Sequence, residues 1–372
     1  MSNVAPPARV GDRLDDVDTP ALLIDLDAFE ENLAAVHRFV AERGGRVRSH
    51  GKAHKCSAIG LRQIAAGAVG LCCQKVGEAE AFVDAGIVDV LVSNVVVGAS
   101  KAGRLARLAR RARVGVCVDS ALQVGQLAAA AREAGVTLDV LIEVDVGGQR
   151  CGVSGADEAL ALARLIDAAR PALALRGLQA YHGPAQHLRS ATERAVAIGI
   201  AAARASQVAG ALRAAGFEVQ EISGGGTGTY PYELGSGVYT EVQPGSYVLM
   251  DVDYGANQPD PDVPALAQAL NVWCTVITSR PTHAVLDGGL KAFSVDSGLP
   301  RMVEPDWKLR GLSDEHAVIL PGPQARPLQV GEKVRLVPGH CDPTVNLHDW
   351  MVALRGDRVE EVWRVDARGA LF

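Results

Sequence analysis

Short apolar runs recur about every 20 to 40 residues over the first two thirds of the chain. They are ALLIDLD (21–27), GRVRSHG (45–51), GLCCQK (70–75), VDVLVSNV (88–95), RVGVCVDS (113–120), LDVLIEVDVG (138–147), LRGLQAYHG (175–183) and EVQEISGGG (218–226). Between them lie stretches with apolar residues three and four apart and strong helix formers, such as AFEENLAAVHRFVAERG, ALQVGQLAAAAREAG and DEALALARLIDAAR. Several close on glycine, as helix C-termini prefer. The repeating unit is strand, loop, helix. Eight such units predict an α/β fold of the (β/α)8 barrel type over residues 18–255. A doubly wound open sheet is the alternative, but it favours a glycine-rich turn after its first strand, and LDAFEEN has none.

Past residue 255 the pattern changes. NQPDPDVP reads as a linker, and LNVWCTVITS, HAVLDGGL, HAVIL, EKVRLVPGH and WMVALRGDRVEEVWRV alternate with little helix between them. A β domain is predicted over 256–372, joined by part of residues 1–17.

Composition narrows the class. Of 372 residues, 48% are hydrophobic and 22% charged, as in ordinary globular chains. The formal net charge of -6 argues against nucleic acid or an anionic membrane surface as partner. No unbroken run of about 18 apolar residues stands out as a membrane span. The N-terminus, MSNVAPPARVGDRLDD, does not read as a secretory signal. Seven cysteines without a CxxC pair read as buried thiols of a cytoplasmic protein rather than zinc ligands.

Barrel chemistry collects where strands run into the following loops. There the chain places His50, Lys52 and His54, then Gln74, Asn94, Asp119, Asp145, Arg150, Tyr181 and His182, and last GGGTG (224–228). Any one of these taken singly is most simply a solvated loop group. Together they would share one rim. The glycines of GGGTG, including Gly225 and Gly226, let backbone N–H groups turn toward an anion, and Thr227 adds a hydroxyl. QPGSY (243–247) offers Gly245 and Ser246 to the same anion. A lysine opposite such a loop fits a Schiff base to a phosphorylated aldehyde cofactor. Strand alternation would put His50, Lys52 and His54 on one face, with Gly51 giving room beside the lysine. A nearby Arg150 would favour the neutral amine, and Lys55 reads as a solvent-facing charge. In PGHCDPTVNLHDW (338–350), an extended backbone would aim His340 and Asp342 at one side, a donor pair suited to a divalent metal with open positions. His348 and Asp349 read as structural. The segments DEH (314–316) and VDSGLP (295–300) are expected near the same cleft, without an assigned role.

The order of these segments, with RSHGKAHK, CCQK, GGQRCGV, QAYHG, GGGTG, QPGSY and PGHCDPTVNLHDW, resembles the fold-type III pyridoxal-phosphate enzymes of the D-threonine aldolase and D-serine dehydratase-like family. That resemblance spans nearly the whole chain. It implies Lys52 as the lysine that joins pyridoxal 5'-phosphate, and Gln74, Arg150 and Tyr181 around its ring. It implies Gly225, Gly226, Thr227, Gly245 and Ser246 on the phosphate, and His340 and Asp342 on Mn²⁺ or Mg²⁺, with Zn²⁺ as an alternative. A homodimer and a β-hydroxy-D-amino acid substrate, split to glycine and an aldehyde, follow from the same resemblance. The base is Lys52, His187 or a metal-bound hydroxide. Many members read RPHAKTHK where this chain has Ser49 and Gly51, two changes expected to alter the pocket beside the lysine. Dehydratases of the family tend to carry His-x-Cys where this chain has Asp342, a harder ligand that favours an aldolase. A dehydratase, a racemase and a non-catalytic cofactor carrier are the rival readings.

Overall fold

The computed structural model describes residues 4–372. One sheet is wholly parallel. It runs Arg46–Val47, Glu241–Val242, Glu221–Gly224, Leu173–Gln179, Leu138–Glu143, Arg113–Val118, Asp89–Val95, Leu71–Cys73 and Ser49–His50. The first and last of these segments belong to one stretch. On one side, the N–H groups of Arg46, Arg48 and His50 donate to Thr240, Val242 and Pro244 at 3.2, 2.9 and 2.9 Å. On the other, Ser49 and His50 pair with Leu71 and Cys72. The sheet therefore closes into the expected barrel, with stretch 46–50 as its seam.

The strand count was reached by a wrong member. Ala21–Asp25, taken from sequence as the first barrel strand, lies in the second sheet, antiparallel to Leu270–Arg280 and parallel to Trp350–Arg355. Its first four residues, 21–24, are buried on both faces, so the run looks alike in either sheet. Helix Leu26–Glu42 begins directly after it, with the Asp25 carboxylate accepting the N–H groups of Asp27 and Ala28. The missing barrel strand is Glu241–Val242, which is too short to show alternation and stops before Pro244.

Alternation sorts each strand's residues between two layers. Leu138, Val140 and Ile142 join the outer core beneath the helices, whereas Leu141 packs inside with Cys72, Leu91 and Cys117. Below that plug the barrel is closed by charge. Arg48, 4% exposed, contacts Asp89 at 2.5 Å and Glu241 at 3.0 Å, and Asp139 takes Arg113 and Arg176 at 2.6 and 2.8 Å. The floor is ionic, and the opposite mouth is left for chemistry.

The second sheet runs Trp307–Leu312, Ala317–Pro321, His283–Leu286, Leu270–Arg280, Ala21–Asp25, Trp350–Arg355 and Arg358–Arg364, with Lys333–Val337 also paired to Leu270–Arg280 and Arg301–Met302 paired to Lys333–Val337. Its core merges with barrel residues: Phe29, Cys56, Tyr247 and Leu249 pack in one cluster with Leu270, Leu336 and Met351. Helix Ala191–Ala214 is long and apolar enough, by length and composition, to cross a membrane, which the search for an unbroken apolar run passed over. It packs along the barrel with Ile198, Ala205, Val208 and Leu212 buried.

Replacing Arg48 with methionine strands the buried Glu241 carboxylate. Urea unfolding of Arg48→Met should show a loss of about 3–5 kcal/mol; a loss under about 1 kcal/mol, the scale of an exposed pair, would mean the ionic floor does not hold the barrel.

Candidate active site

A cleft of about 470 Å³ opens at the barrel mouth and brings together Lys52, Gln74, Arg150, Tyr181, His187, Gly226, Thr227, Gly245 and Ser246. Lys52 arrives there by a turn, not by an extended strand. The strand stops at His50, and Gly51–Ala53 forms a 3-10 turn in which the Lys52 N–H donates to His50 Nδ1 at 3.3 Å. The expected row of three therefore breaks. His50 and Lys52 line the cleft, while His54 turns away to Gln63 at 3.2 Å and is pushed down to about 4 by burial. Lys55 is not a solvent-facing charge either. It is 6% exposed, adopts a left-handed φ of 48°, and lies 2.9 Å from Glu78, outside hydrogen-bond alignment.

Ser49 and Gly51 also point elsewhere. Ser49 is fully buried against the Tyr247 hydroxyl at 3.1 Å. A Cβ on Gly51 would come within 2.6 Å of the Phe82 ring, so this glycine makes room for packing and not for a ligand. The turn is held from outside by the far end of the chain. Ala367 N–H donates to Lys55 O at 3.0 Å, and Ser57 N–H to Asp366 Oδ1 at 2.9 Å.

Lys52 Nζ makes a short ion pair with Asp342, which also accepts from Ser246 Oγ at 3.1 Å. Burial works against the ammonium, but the Asp342 carboxylate, helped by Tyr181, outweighs it and holds Lys52 above its ordinary range. Burial alone would raise Asp342; Lys52 and His340 instead hold it well below the usual carboxylate range. The expectation that Arg150 would favour a neutral amine thus fails in this state, because a carboxylate in direct contact wins over a more distant cation. Arg150 instead lies over the Tyr181 ring, 5.7 Å from its centroid. Asp119 and Asp145 shape the loop that carries it, accepting backbone N–H groups of Gly152, Gly147 and Gln149 at 3.0, 2.9 and 3.1 Å.

The glycine-rich loop has the features of an anion cradle. Gly225 turns the chain with φ 76° and sits just behind the cleft lining. Thr227 Oγ1 is buried with no partner. The backbone N–H groups of Gly226, Thr227, Gly245 and Ser246 find no acceptor among the described residues. Four free donors and a hydroxyl at one wall call for a multivalent acceptor.

His340 is extended at the head of the short helix Cys341–Val345. Its Nε2 lies 3.9 Å from Asp342 Oδ1, and its Nδ1 meets Asp296 at 2.7 Å. Asp296 of VDSGLP so acquires a role: it fixes the ring whose other nitrogen faces Asp342. Among the described residues no group of three or more His, Cys, Asp or Glu is gathered for a metal. His348 bonds Ala292 O at 3.0 Å and Asp349 pairs with Arg368 at 2.8 Å, both away from this pair.

The sequence reading missed Ser93, Gln179, Gln243 and Tyr254, all in the cleft lining. Ser93 and Gln179 were open to discovery as inward positions of their strands. Gln243 directly precedes the Pro–Gly pair; it exchanges amide hydrogen bonds with Gln179 at 2.8 and 3.0 Å. Tyr254 lies in the four-residue helix Val252–Gly255, which carries no periodic signal.

Comparison with known proteins agrees with this geometry. Residues 24–253 match the family model described as alanine racemase, N-terminal domain, and residues 269–354 the putative serine dehydratase domain. A D-threonine aldolase of Arthrobacter sp. is 47% identical over 98% of this chain and 96% of its own. The chain belongs to the D-threonine aldolase family of fold-type III pyridoxal-phosphate lyases. A 3-hydroxy-D-aspartate aldolase of Paracoccus denitrificans (strain Pd 1222) is 44% identical over 98% of this chain and 95% of its own. The crystal structure of D-threonine aldolase from Filomicrobium marinum superposes with a TM-score of 0.96 at 45% identity, covering 99% of this chain and 100% of that one.

The residues present fit the family's cofactor. The unpartnered Thr227 hydroxyl and free N–H groups suit its phosphate, and Lys52 stands at the same cleft. His340 and Asp342 fit a divalent ion as a two-residue site with open positions, once Lys52 is engaged elsewhere. Thr227→Val should weaken pyridoxal-phosphate binding by roughly tenfold, the cost of one hydrogen bond to a charged group. An absorbance titration checks this, and unaltered affinity would remove Thr227 from the cradle.

Proposed function

We propose that this chain is a pyridoxal-phosphate- and divalent-metal-dependent aldolase that cleaves β-hydroxy-D-amino acids, of the D-threonine or D-3-hydroxyaspartate type, to glycine and acetaldehyde or glyoxylate. The observation that carries the reading is the meeting of Lys52, Ser246 and Asp342. It sets the cofactor lysine, the anion cradle and the His-x-Asp pair within one reach. Full-length likeness to two aldolases supports the reaction class.

In this reading Lys52 supplies the amine for the cofactor aldehyde. Gln74, Arg150 and Tyr181 would hold its ring, and Gly225, Gly226, Thr227, Gly245 and Ser246 its phosphate. His340 and Asp342 would hold the metal, Mn²⁺ or Mg²⁺ by the hardness of the carboxylate. When bound, the cofactor supplies an electron sink for the carbanion at Cα, and the metal supplies Lewis acidity at the β-hydroxyl. His187 stands in the cleft wall with its Nδ1 occupied by Asp253 at 2.5 Å, which leaves Nε2 to receive the hydroxyl proton. As that proton leaves, the carbon–oxygen bond becomes the aldehyde carbonyl and the Cα–Cβ electron pair passes to Cα, which then gains one proton, the equivalent of the one given to His187, to complete glycine. His50, kept neutral by burial and by the charge of Lys52, adds no competing cation beneath the lysine. Selectivity for the D configuration rests on the relatives. We also propose a homodimer, on the family likeness alone, and a cytoplasmic setting, which agrees with seven cysteines free of disulfides.

Three measurements test this. Incubation with D-threonine and D-3-hydroxyaspartate should release glycine with the matching aldehyde; ammonia and a keto acid would instead mark a dehydratase. Exhaustive chelation should abolish turnover and added Mn²⁺ restore it, and undiminished activity after chelation would refute the metal role. Lys52→Ala should lose the yellow colour of the bound cofactor on dialysis, whereas colour that survives would free Lys52 from its assignment.

A further inference from the structure

We infer that Asp253 is the positioning residue of the proton transfer, holding His187 with its hydrogen on Nδ1 and its Nε2 lone pair toward the cleft. The inference rests on the reading of His187 as proton acceptor and adds to it the group that makes the imidazole competent.

His187 ends the 3-10 turn Pro184–His187, and its side chain is 44% exposed. An imidazole so open is free to rotate and to exchange tautomers unless something outside its loop fixes it. Asp253 does so. Its side chain is 5% exposed, and its Oδ2 meets His187 Nδ1 at 2.5 Å. Arg189 occupies the other oxygen of Asp253, and donates further to Asp253 O at 2.6 Å and Asn257 Oδ1 at 2.8 Å. With Oδ1 held by the guanidinium, Oδ2 remains for the ring. The Tyr254 ring lies against the imidazole, with centroids 5.7 Å apart.

The same short segment grips the metal pair's backbone. Val252 and Asp253 donate their N–H groups to Pro338 O and Gly339 O at 3.0 and 3.2 Å, and Asp251 Oδ2 accepts the Cys341 N–H at 2.8 Å. His187 and the His340–Asp342 pair are thus referenced to one frame, the sequence DVDYG (251–255).

The chemistry follows from the acceptor at Nδ1. A carboxylate there selects the neutral tautomer with hydrogen on Nδ1, so Nε2 is a base and not a donor. In the reaction the substrate O–H bond breaks and an Nε2–H bond forms. The Nδ1 hydrogen stays where it is, and Asp253 takes no proton but stabilises the imidazolium.

The test uses holoenzyme labelled with ¹⁵N-histidine. Long-range proton–nitrogen correlation reads the tautomer of His187, whose signals are assigned by their loss in His187→Gln. The Nδ1–H form is expected in the unaltered holoenzyme. Asp253→Asn should abolish that preference and lower kcat on D-threonine by about 10²-fold, the scale of one acid–base group, with KM and cofactor absorbance little changed. An Nε2–H tautomer in the unaltered holoenzyme, or full kcat in Asp253→Asn, overturns the role of Asp253. His187→Gln separates the two levels. If it loses turnover while Asp253→Asn does not, only the positioning role is lost. If both keep full kcat, His187 is not the proton acceptor.

Discussion

The contact between Lys52 and Asp342 is the constraint on which the site depends, because it joins the barrel to the β domain at the point of chemistry. A barrel strand must end early enough to turn a lysine inward, and a loop almost 300 residues later must arrive to meet it. Everything near the cleft serves one of those two placements. The seam at 46–50 fixes where the strand ends, and the second sheet fixes where PGHCD arrives. Each partner's charge is compensated by the other across the two domains.

Much of this was legible in the sequence because barrels advertise themselves by period. The strand–helix alternation, the glycine-rich loop and the His-x-Asp segment are local patterns, and each lies in or beside the cleft. Errors arose where pattern gave no information about partners. Ala21–Ile24 is apolar on both faces, so nothing in it says which sheet it joins. Glu241–Val242 is a strand only because the seam lies beside it.

The lysine motif shows a subtler failure. Reading it as an extended strand put His50, Lys52 and His54 in one row and left Lys55 to solvent, whereas the turn keeps His50 and Lys52 at the cleft, sends His54 to Gln63 and buries Lys55. A 3-10 turn advances about 120° per residue where a strand alternates by about 180°, so one wrong local geometry redirects every neighbour. The departures at Ser49 and Gly51 consequently bear on packing against Tyr247 and Phe82, and not on the substrate's side chain. Asp253 and Tyr254 were silent for a different reason: DVDYG is a loop whose value comes only from what it touches.

The backbone of the lysine turn is bonded by Ala367 and Asp366, among the final residues of the sequence. During synthesis those two emerge more than 300 residues after the turn they complete. The lysine loop is thus a long-range structure, with its outer backbone support contributed from the β domain and not from the barrel that carries the lysine.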